Sequence, residues 1–139
     1  MKTPTPIIDV IEDNVRWRDT NDSDIQPVVQ LAQKIGVNLL LKGKVDIITD
    51  GKVATAVGTP GSGKRVGGQG DVLAGVIASS LYQAGKNGFG VVNALTCASL
   101  IVRKSANLAF AKKHWGLTCP DIIKCLPKAL GEVIGRNNI

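Results

Sequence analysis

The chain has 139 residues, 44% of them apolar, which is the length and hydrophobic content of one globular domain and excludes a wholly disordered chain. Its apolar stretches fall far short of the roughly 20 residues that a membrane-spanning helix requires, so we expect no membrane partner. The net charge is +6 but only 4% of the residues are aromatic, so we expect no nucleic-acid partner and favour a small phosphorylated molecule as the anion.

The N-terminal quarter predicts a lead-in followed by one helix. Residues 1–24 are polar and acidic, contain two prolines and show no apolar period, so we interpret them as an irregular lead-in. Residues 1–12 lack the pattern of a secretory or organellar leader, which predicts a cytoplasmic location. Residues 25–35 have the apolar spacing of a helix, and Gly36 stands where the helix would end.

Three strands are predicted next. Residues 37–41 form a compact apolar run, typical of a strand buried on both faces. Residues 45–49 and 52–57 are rich in β-formers and predict a hairpin. Asp50 and Gly51 between them are typical of a two-residue hairpin turn.

The second half predicts a loop and three helices. Residues 58–70 include six glycines, so they form a loop by composition. Helical spacing returns at residues 71–82, and residues 91–111 predict a longer, mostly apolar helix. A last helix opens at a capping pattern after Thr118 and ends near residue 134. Strands followed by helices predict a layered α/β domain.

Two phosphate-binding motifs compete for the glycine loop. Residues 58–64 match the spacing of a P-loop, but Arg65 follows the lysine where Ser or Thr is required, and two glycines would stop the helix. Residues 67–71, Gly-Gly-Gln-Gly-Asp, fit better because they directly precede a predicted helix. Glycines let backbone N–H groups turn toward one anion, and the helix start adds its positive dipole end. We therefore favour the second motif.

Asp71 is the candidate catalytic residue. Placed at the helix start, it is expected to lie within reach of a phosphoryl group and to take a proton from a substrate hydroxyl as general base. The alternative is that Asp71 only caps its helix. Each other carboxylate after residue 30 has a structural explanation, whereas Asp71 adjoins a loop with two cations, which favours catalysis.

The turn at residues 42–46 and the cysteines have simpler interpretations. Residues 42–46, Lys-Gly-Lys-Val-Asp, follow a predicted strand, where ligands enter α/β sheets, but on these residues alone we favour an ordinary solvated turn. Three cysteines fit neither a disulfide framework nor a zinc site. We expect them to be reduced and expect no metal ligands in the chain.

Four segments together resemble the ATP-dependent NAD(P)H-hydrate dehydratases of the ribokinase-like superfamily. They are residues 42–46, residues 61–71 ending in Gly-Gly-Gln-Gly-Asp, residues 73–75 (Leu-Ala-Gly) and residues 97–100 (Cys-Ala-Ser-Leu). The Gln between the glycines is similar to the ATP-using branch. The resemblance implies an α/β ribokinase-like fold, of which residues 25–139 would be the C-terminal half.

The resemblance also implies a repair reaction. Hydrated NADH or NADPH is phosphorylated by ATP on its new hydroxyl and then loses phosphate, with Mg²⁺ accompanying the nucleotide. Asp71 is implied as the residue at the substrate hydroxyl, with Gly67, Gly68 and Gly70 as the anion hole. The implied ATP contacts are Lys42, Gly43, Lys44, Val45, Asp46, Gly61, Ser62, Gly63, Lys64, Arg65, Val66, Gly67, Gly68, Gln69 and Gly70.

Two other functions remain open. The first is another ribokinase-like kinase that acts on a small alcohol and shares the glycine–aspartate site. The second is a catalytically silent nucleotide-binding module, which this chain would be if it were left after truncation. The resemblance implies that family members also have an N-terminal half with most strands of the sheet. A homo-oligomer or a complementing chain is one way in which the site would be completed.

Overall fold

The computed structural model describes residues 15–134 of the chain. They form four strands and four α-helices, with a short 3-10 turn at His114–Gly116 between the last two helices. The elements are β1 (Val15–Arg18), α1 (Gln26–Ile35), β2 (Leu39–Leu41), β3 (Asp46–Thr49), β4 (Ala54–Val57), α2 (Gln69–Asn87), α3 (Val91–Lys113) and α4 (Cys119–Ile134).

The strands form one antiparallel sheet in the order β1-β4-β3-β2, with helices on both faces. On one face, Ala54 of β4 packs against Ile25 and Val29 at α1. On the other face, Val57 belongs to a core shared with Leu100 of α3, and α2 and α4 pack against α3. The described residues therefore form the layered helix and sheet arrangement that the sequence predicts.

The prediction that residues 37–41 are a strand buried on both faces is wrong. Only Leu39–Leu41 are in a strand, and within the described residues this strand pairs with β3 alone, so it lies at the sheet edge. Leu41 is 52% exposed. The doubly buried strand is β4, all four residues of which are buried because it lies between β1 and β3 with helices above and below.

The prediction of a two-residue hairpin turn between β3 and β4 is also wrong. Thr49 pairs with Ala54, so four residues connect β3 to β4. The Asp50 carboxylate accepts hydrogen bonds from the N–H groups of Lys52 and Val53, at 2.8 and 3.0 Å. These side-chain bonds stabilise a wider turn than the Asp-Gly pair alone indicates, because Asp bonds readily to the backbone that follows it.

The irregular lead-in contains a strand. Val15–Arg18 pairs with β4 in the register Val15↔Val57 to Arg18↔Ala54, so the prediction is wrong for these four residues. A four-residue strand has no detectable local period, and its pairing partner lies about 40 residues further along the chain. The part of the predicted lead-in before Val15 lies outside the described residues.

The predicted helices are confirmed with shifted ends. α1 ends at Gly36, which has the left-handed φ of +75°. α2 begins at Gln69, two residues before the predicted start, and continues to Asn87. At the start of α4, the Asp121 carboxylate accepts hydrogen bonds from the N–H and hydroxyl of Thr118. Between residues 15 and 134, none of the helices has the length and apolar character needed to cross a membrane.

Candidate functional site: a cationic cavity at the start of helix α2

A cavity of about 480 Å³ lies where the turn before β3, the glycine loop, the start of α2 and the middle of α3 meet. Four cationic side chains line it, together with polar, glycine and apolar residues. The lining is Lys42, Gly43, Asp46, Ser62, Lys64, Arg65, Val66, Gln69, Gly70, Leu73, Ser99, Val102 and Arg103.

The structure brings together residues 42–46 and residues 61–70, the two segments that are expected to contact ATP. Nine of the fifteen residues implied as ATP contacts line the cavity. The other six are outside its lining: Lys44, Val45, Gly61, Gly63, Gly67 and Gly68. Leu73, Ser99, Val102 and Arg103 line it without having been expected as contacts.

Asp46 and Arg103 form a buried ion pair in the cavity wall. Arg103 Nε donates to Asp46 Oδ2, and Arg103 Nη2 donates to Oδ1, both at 2.9 Å. Ser99 Oγ donates to Oδ2 at 2.7 Å, and the Gly43 N–H donates to Oδ1 at 3.0 Å. Both oxygens of Asp46 are therefore occupied by protein donors, so Asp46 shapes the cavity instead of offering a free carboxylate to a ligand.

The same network determines the ionisation of Asp46. Burial alone raises the pKa of this carboxyl, but the hydrogen bonds from Arg103, Ser99 and Gly43 outweigh burial and hold the pKa below its ordinary value. Asp46 is therefore charged at neutral pH. Its charge balances that of Arg103, whose Nη1 and Nη2 also donate to the carbonyls of Thr59 and Gly43.

The remaining cations of the cavity differ in what they contact. Lys64 Nζ donates to the carbonyls of Trp115 and Leu117, at 2.7 and 3.2 Å. Lys42 and Arg65 have no hydrogen bond or ion pair with any residue between 15 and 134. Lys42 Nζ lies 3.1 Å from the point where a Cβ of Gly70 would stand. One uncompensated ammonium group therefore lies directly beside the first turn of α2.

The first turn of α2 adds backbone donors to these cations. Gly68 caps the helix with a left-handed φ of +92°, and no side chain caps it. The first N–H groups of an α-helix have no intrahelical acceptor, and the helix dipole favours negative charge at this end. The cavity is thus suited to the oxygens of a polyphosphate. Because α2 begins five residues after Lys64, the P-loop alternative does not fit the structure.

Asp71 lies on a second, mostly apolar groove of about 400 Å³ between α2 and α4. Its carboxylate is exposed and has no hydrogen bond or ion pair with the described residues, so it does not act as a side-chain cap of α2. Gly68 lines the groove and the adjacent Gln69 and Gly70 line the cationic cavity, so the two spaces adjoin at the start of the same helix. The groove is lined by Gly68, Asp71, Val72, Gly75, Val76, Cys119, Ile123 and Leu126.

The geometry agrees with the comparison with known protein families. The family model described as NAD(P)H-hydrate dehydratase matches residues 8–128. The chain belongs to this family. Its layered sheet and helices are part of a ribokinase-like fold, as the resemblance implied.

Named relatives give the same result. An ATP-dependent (S)-NAD(P)H-hydrate dehydratase of Entamoeba histolytica is 37% identical over 108 residues, which is 75% of this chain and 36% of the relative. One of Vitis vinifera is 35% identical over 128 residues, or 83% of this chain and 36% of the relative. A bifunctional NAD(P)H-hydrate repair enzyme of Hyperthermus butylicus is 33% identical over 84% of this chain and 22% of the relative. The chain therefore spans about a third, or less, of the length of these relatives.

Arg103 and Ser99 line the candidate site although the sequence analysis assigns neither of them to it. Both lie in α3, where a charged residue directly follows the buried Leu100, Ile101 and Val102. A charge inside such an apolar helix indicates a buried partner, because an unpaired buried charge is strongly unfavourable. That signal was present in the sequence, but it does not identify Asp46 as the partner, which lies 57 residues away.

Proposed function

We propose that this chain supplies the polyphosphate cavity and the general base of an ATP-dependent NAD(P)H-hydrate dehydratase. The observation that carries the proposal is the pairing of a cationic cavity with an aspartate-bearing groove at one helix start. The substrates are ATP and hydrated NADH or NADPH.

The cavity residues bind and orient the triphosphate. Lys42 and Arg65, which have no partner among residues 15–134, are the side chains free to contact phosphate oxygens. Lys64 contributes positive charge to the cavity, and the hydrogen bonds of Lys64 and Arg103 hold its walls in place. The N–H groups at the start of α2 donate hydrogen bonds to the phosphoryl oxygens and stabilise the negative charge that develops on them during transfer.

The Asp71 groove receives the hydroxyl-bearing part of the dinucleotide. In the first step the hydroxyl oxygen bonds to the γ-phosphorus, the bond to ADP breaks, and Asp71 takes the hydroxyl proton. In the second step the carbon–oxygen bond breaks, phosphate leaves with the bonding pair, and the neighbouring carbon loses a proton to water to form the double bond. The apolar walls of the groove suit a ring.

Magnesium enters this account only with the nucleotide. The described residues contain no group of three or more His, Cys, Asp or Glu side chains that would hold a metal ion. The carboxylate in the cavity wall, Asp46, has both oxygens engaged by Arg103, Ser99 and Gly43. These residues do not fit a protein-bound Mg²⁺ ion, and no step is assigned to one.

Calorimetry tests the nucleotide site with a matched pair of lysine variants. Lys42 lines the cavity, whereas Lys44 lies outside its lining in the same turn. We expect Lys42→Met to weaken ATP binding by about tenfold, and Lys44→Met to leave it nearly unchanged, because a close charge-assisted contact is lost only in the first. ATP binding should also weaken as salt is raised. Equal effects of the two variants contradict the proposed cavity.

Turnover tests the reaction itself. The chain is incubated with hydrated NADH, ATP and Mg²⁺, alone and joined to the N-terminal part of the Vitis vinifera relative, while the absorbance of intact NADH is followed. We expect NADH to be restored by the joined protein. ATP binding without any recovery of NADH in either form would favour the catalytically silent module.

A further inference from the structure

Trp115 has a large side chain that the described residues leave mostly exposed to solvent. It lies in the turn His114–Gly116 between α3 and α4. It is 72% exposed, the largest value among the large hydrophobic side chains that the structure describes between residues 15 and 134. An exposed Trp ring keeps a large apolar surface in water, so covering it with a ligand is favourable.

The ring nevertheless has a defined position. Phe110 of α3 meets Trp115 edge-on, with ring centroids 5.9 Å apart and planes at 90°, and contacts His114 in a similar way at 6.1 Å. His114 has φ +49°, the only positive φ of a non-glycine residue in the described part of the chain. This unfavourable backbone conformation, directly before Trp115, occurs often at ligand sites because surrounding contacts enforce it.

Two contacts join the Trp115 turn to the cationic cavity. Lys64 lines the cavity and donates from Nζ to the Trp115 carbonyl at 2.7 Å. A Cβ built on Gly63 would lie 3.2 Å from Phe110, so the glycine loop packs directly against the ring that supports Trp115. Trp115 is therefore one lysine side chain away from the proposed polyphosphate site.

We propose that Trp115 is the stacking platform for the purine base of the nucleotide whose phosphates occupy the cavity. This inference rests on the proposed function and adds to it the base subsite. Bases stack on exposed aromatic side chains irrespective of their hydrogen-bonding edges. Lys112, Lys113 and His114 are exposed around the turn, and the lysines give it the positive charge that a nucleotide attracts.

The test compares ATP with inorganic tripolyphosphate, which has the phosphates but no base. Affinities of both are measured by calorimetry for the parent chain, Trp115→Ala and Trp115→Phe. We expect Trp115→Ala to weaken ATP binding by about tenfold, Trp115→Phe to weaken it less, and both to leave tripolyphosphate binding unchanged. Since Trp115 is largely exposed, these variants should fold like the parent chain.

Fluorescence gives an independent measurement. The chain has two tryptophans, Trp17 and Trp115. In the Trp17→Phe variant the emission comes from Trp115 alone, and we expect ATP, but not tripolyphosphate, to quench it. Equal losses for both ligands in Trp115→Ala, or unchanged ATP affinity, would overturn the base subsite while leaving the phosphate cavity intact. Failure of the parent chain to bind either ligand would overturn the cavity and the subsite together.

Discussion

Arg103 reaches from the middle of α3 to Asp46 at the start of β3, and its two nitrogens contact both carboxylate oxygens at 2.9 Å. The side chains are only 14% and 8% exposed. Through Gly43, which donates to the same carboxylate, this pair also fixes the turn that carries Lys42. The ion pair therefore couples the stability of the domain to the shape of the candidate site.

Asp46→Asn should be strongly destabilising, because it leaves the Arg103 charge buried without its counter-ion. We expect the free energy of unfolding to fall by about 3 kcal/mol, measured by urea denaturation. Asp24→Asn is the control, since Asp24 pairs with Arg18 at the surface and is 59% exposed. Its loss should cost less than about 1 kcal/mol. Similar losses of unfolding free energy in the two variants would show that the buried pair stabilises the fold no more than the surface pair does.

The same carboxylate predicts how stability depends on pH. Because the pKa of Asp46 is lower in the folded chain than in the unfolded chain, its contribution is fully present above the ordinary pKa of about 4. The contribution is lost as pH falls through the lower, folded pKa. Unfolding free energies measured between pH 6 and pH 2.5 should therefore decline more steeply for the parent chain than for Asp46→Asn. If the unfolding free energies of the two proteins declined in parallel with pH, the pH dependence would not come from Asp46.

Gly68 and Gly67 form a matched pair at the helix start. Gly68 has φ +92°, and a Cβ there would lie 3.1 Å from Cys119 Sγ, whereas a Cβ on Gly67 would meet nothing within 4 Å. Gly68→Ala should lower the free energy of unfolding by about 1 to 2 kcal/mol, because Ala disfavours this φ. Gly67→Ala should be close to neutral. Thermal unfolding of both variants measures this difference. Equal stabilities of the two variants would contradict a conformational requirement for glycine at position 68.

The features that the sequence predicts correctly are those determined by residues close together in the chain. The helix ending at Gly36 and the glycine loop were predictable because their signals lie within a few neighbouring residues. The strand at Val15–Arg18 and the Arg103–Asp46 pair were not, since each depends on a partner about 40 to 57 residues away. The sequence places Asp71 directly after Gly70, which indicates a single site. It does not show that Gly70 lines the cationic cavity whereas Asp71 lines the apolar groove.

The edge strand β2 predicts self-association of this chain. In the described structure β2 pairs on one side only; Leu41 in the strand is 52% exposed, and Val37 just before the strand is 41% exposed. Unpaired apolar edges recruit other strands, and a lysine on the edge prevents this. We expect light scattering to show oligomers of the parent chain and mainly monomers of Leu41→Lys. Tyr82→Lys, on the exposed side of α2, is the control and should associate like the parent.

Asp71→Asn tests the assignment of the general base. Asn occupies the same volume but cannot accept the substrate proton, so turnover should fall by roughly 10²-fold. ATP binding should stay the same or become slightly tighter, because a negative charge near the phosphates is removed. Asp121→Asn is the matched control, since Asp121 also lies in the first turn of a helix but accepts hydrogen bonds only from Thr118.

The most direct measurement is the rate at which absorbance of intact NADH returns from hydrated NADH with ATP and Mg²⁺. It is made on the chain joined to the N-terminal part of the Vitis vinifera relative, for the parent, Asp71→Asn and Asp121→Asn. We expect the parent and Asp121→Asn to restore NADH at similar rates, and Asp71→Asn to bind ATP but to be about 10²-fold slower. Restoration by Asp71→Asn at the parent rate would contradict the role of Asp71 as general base.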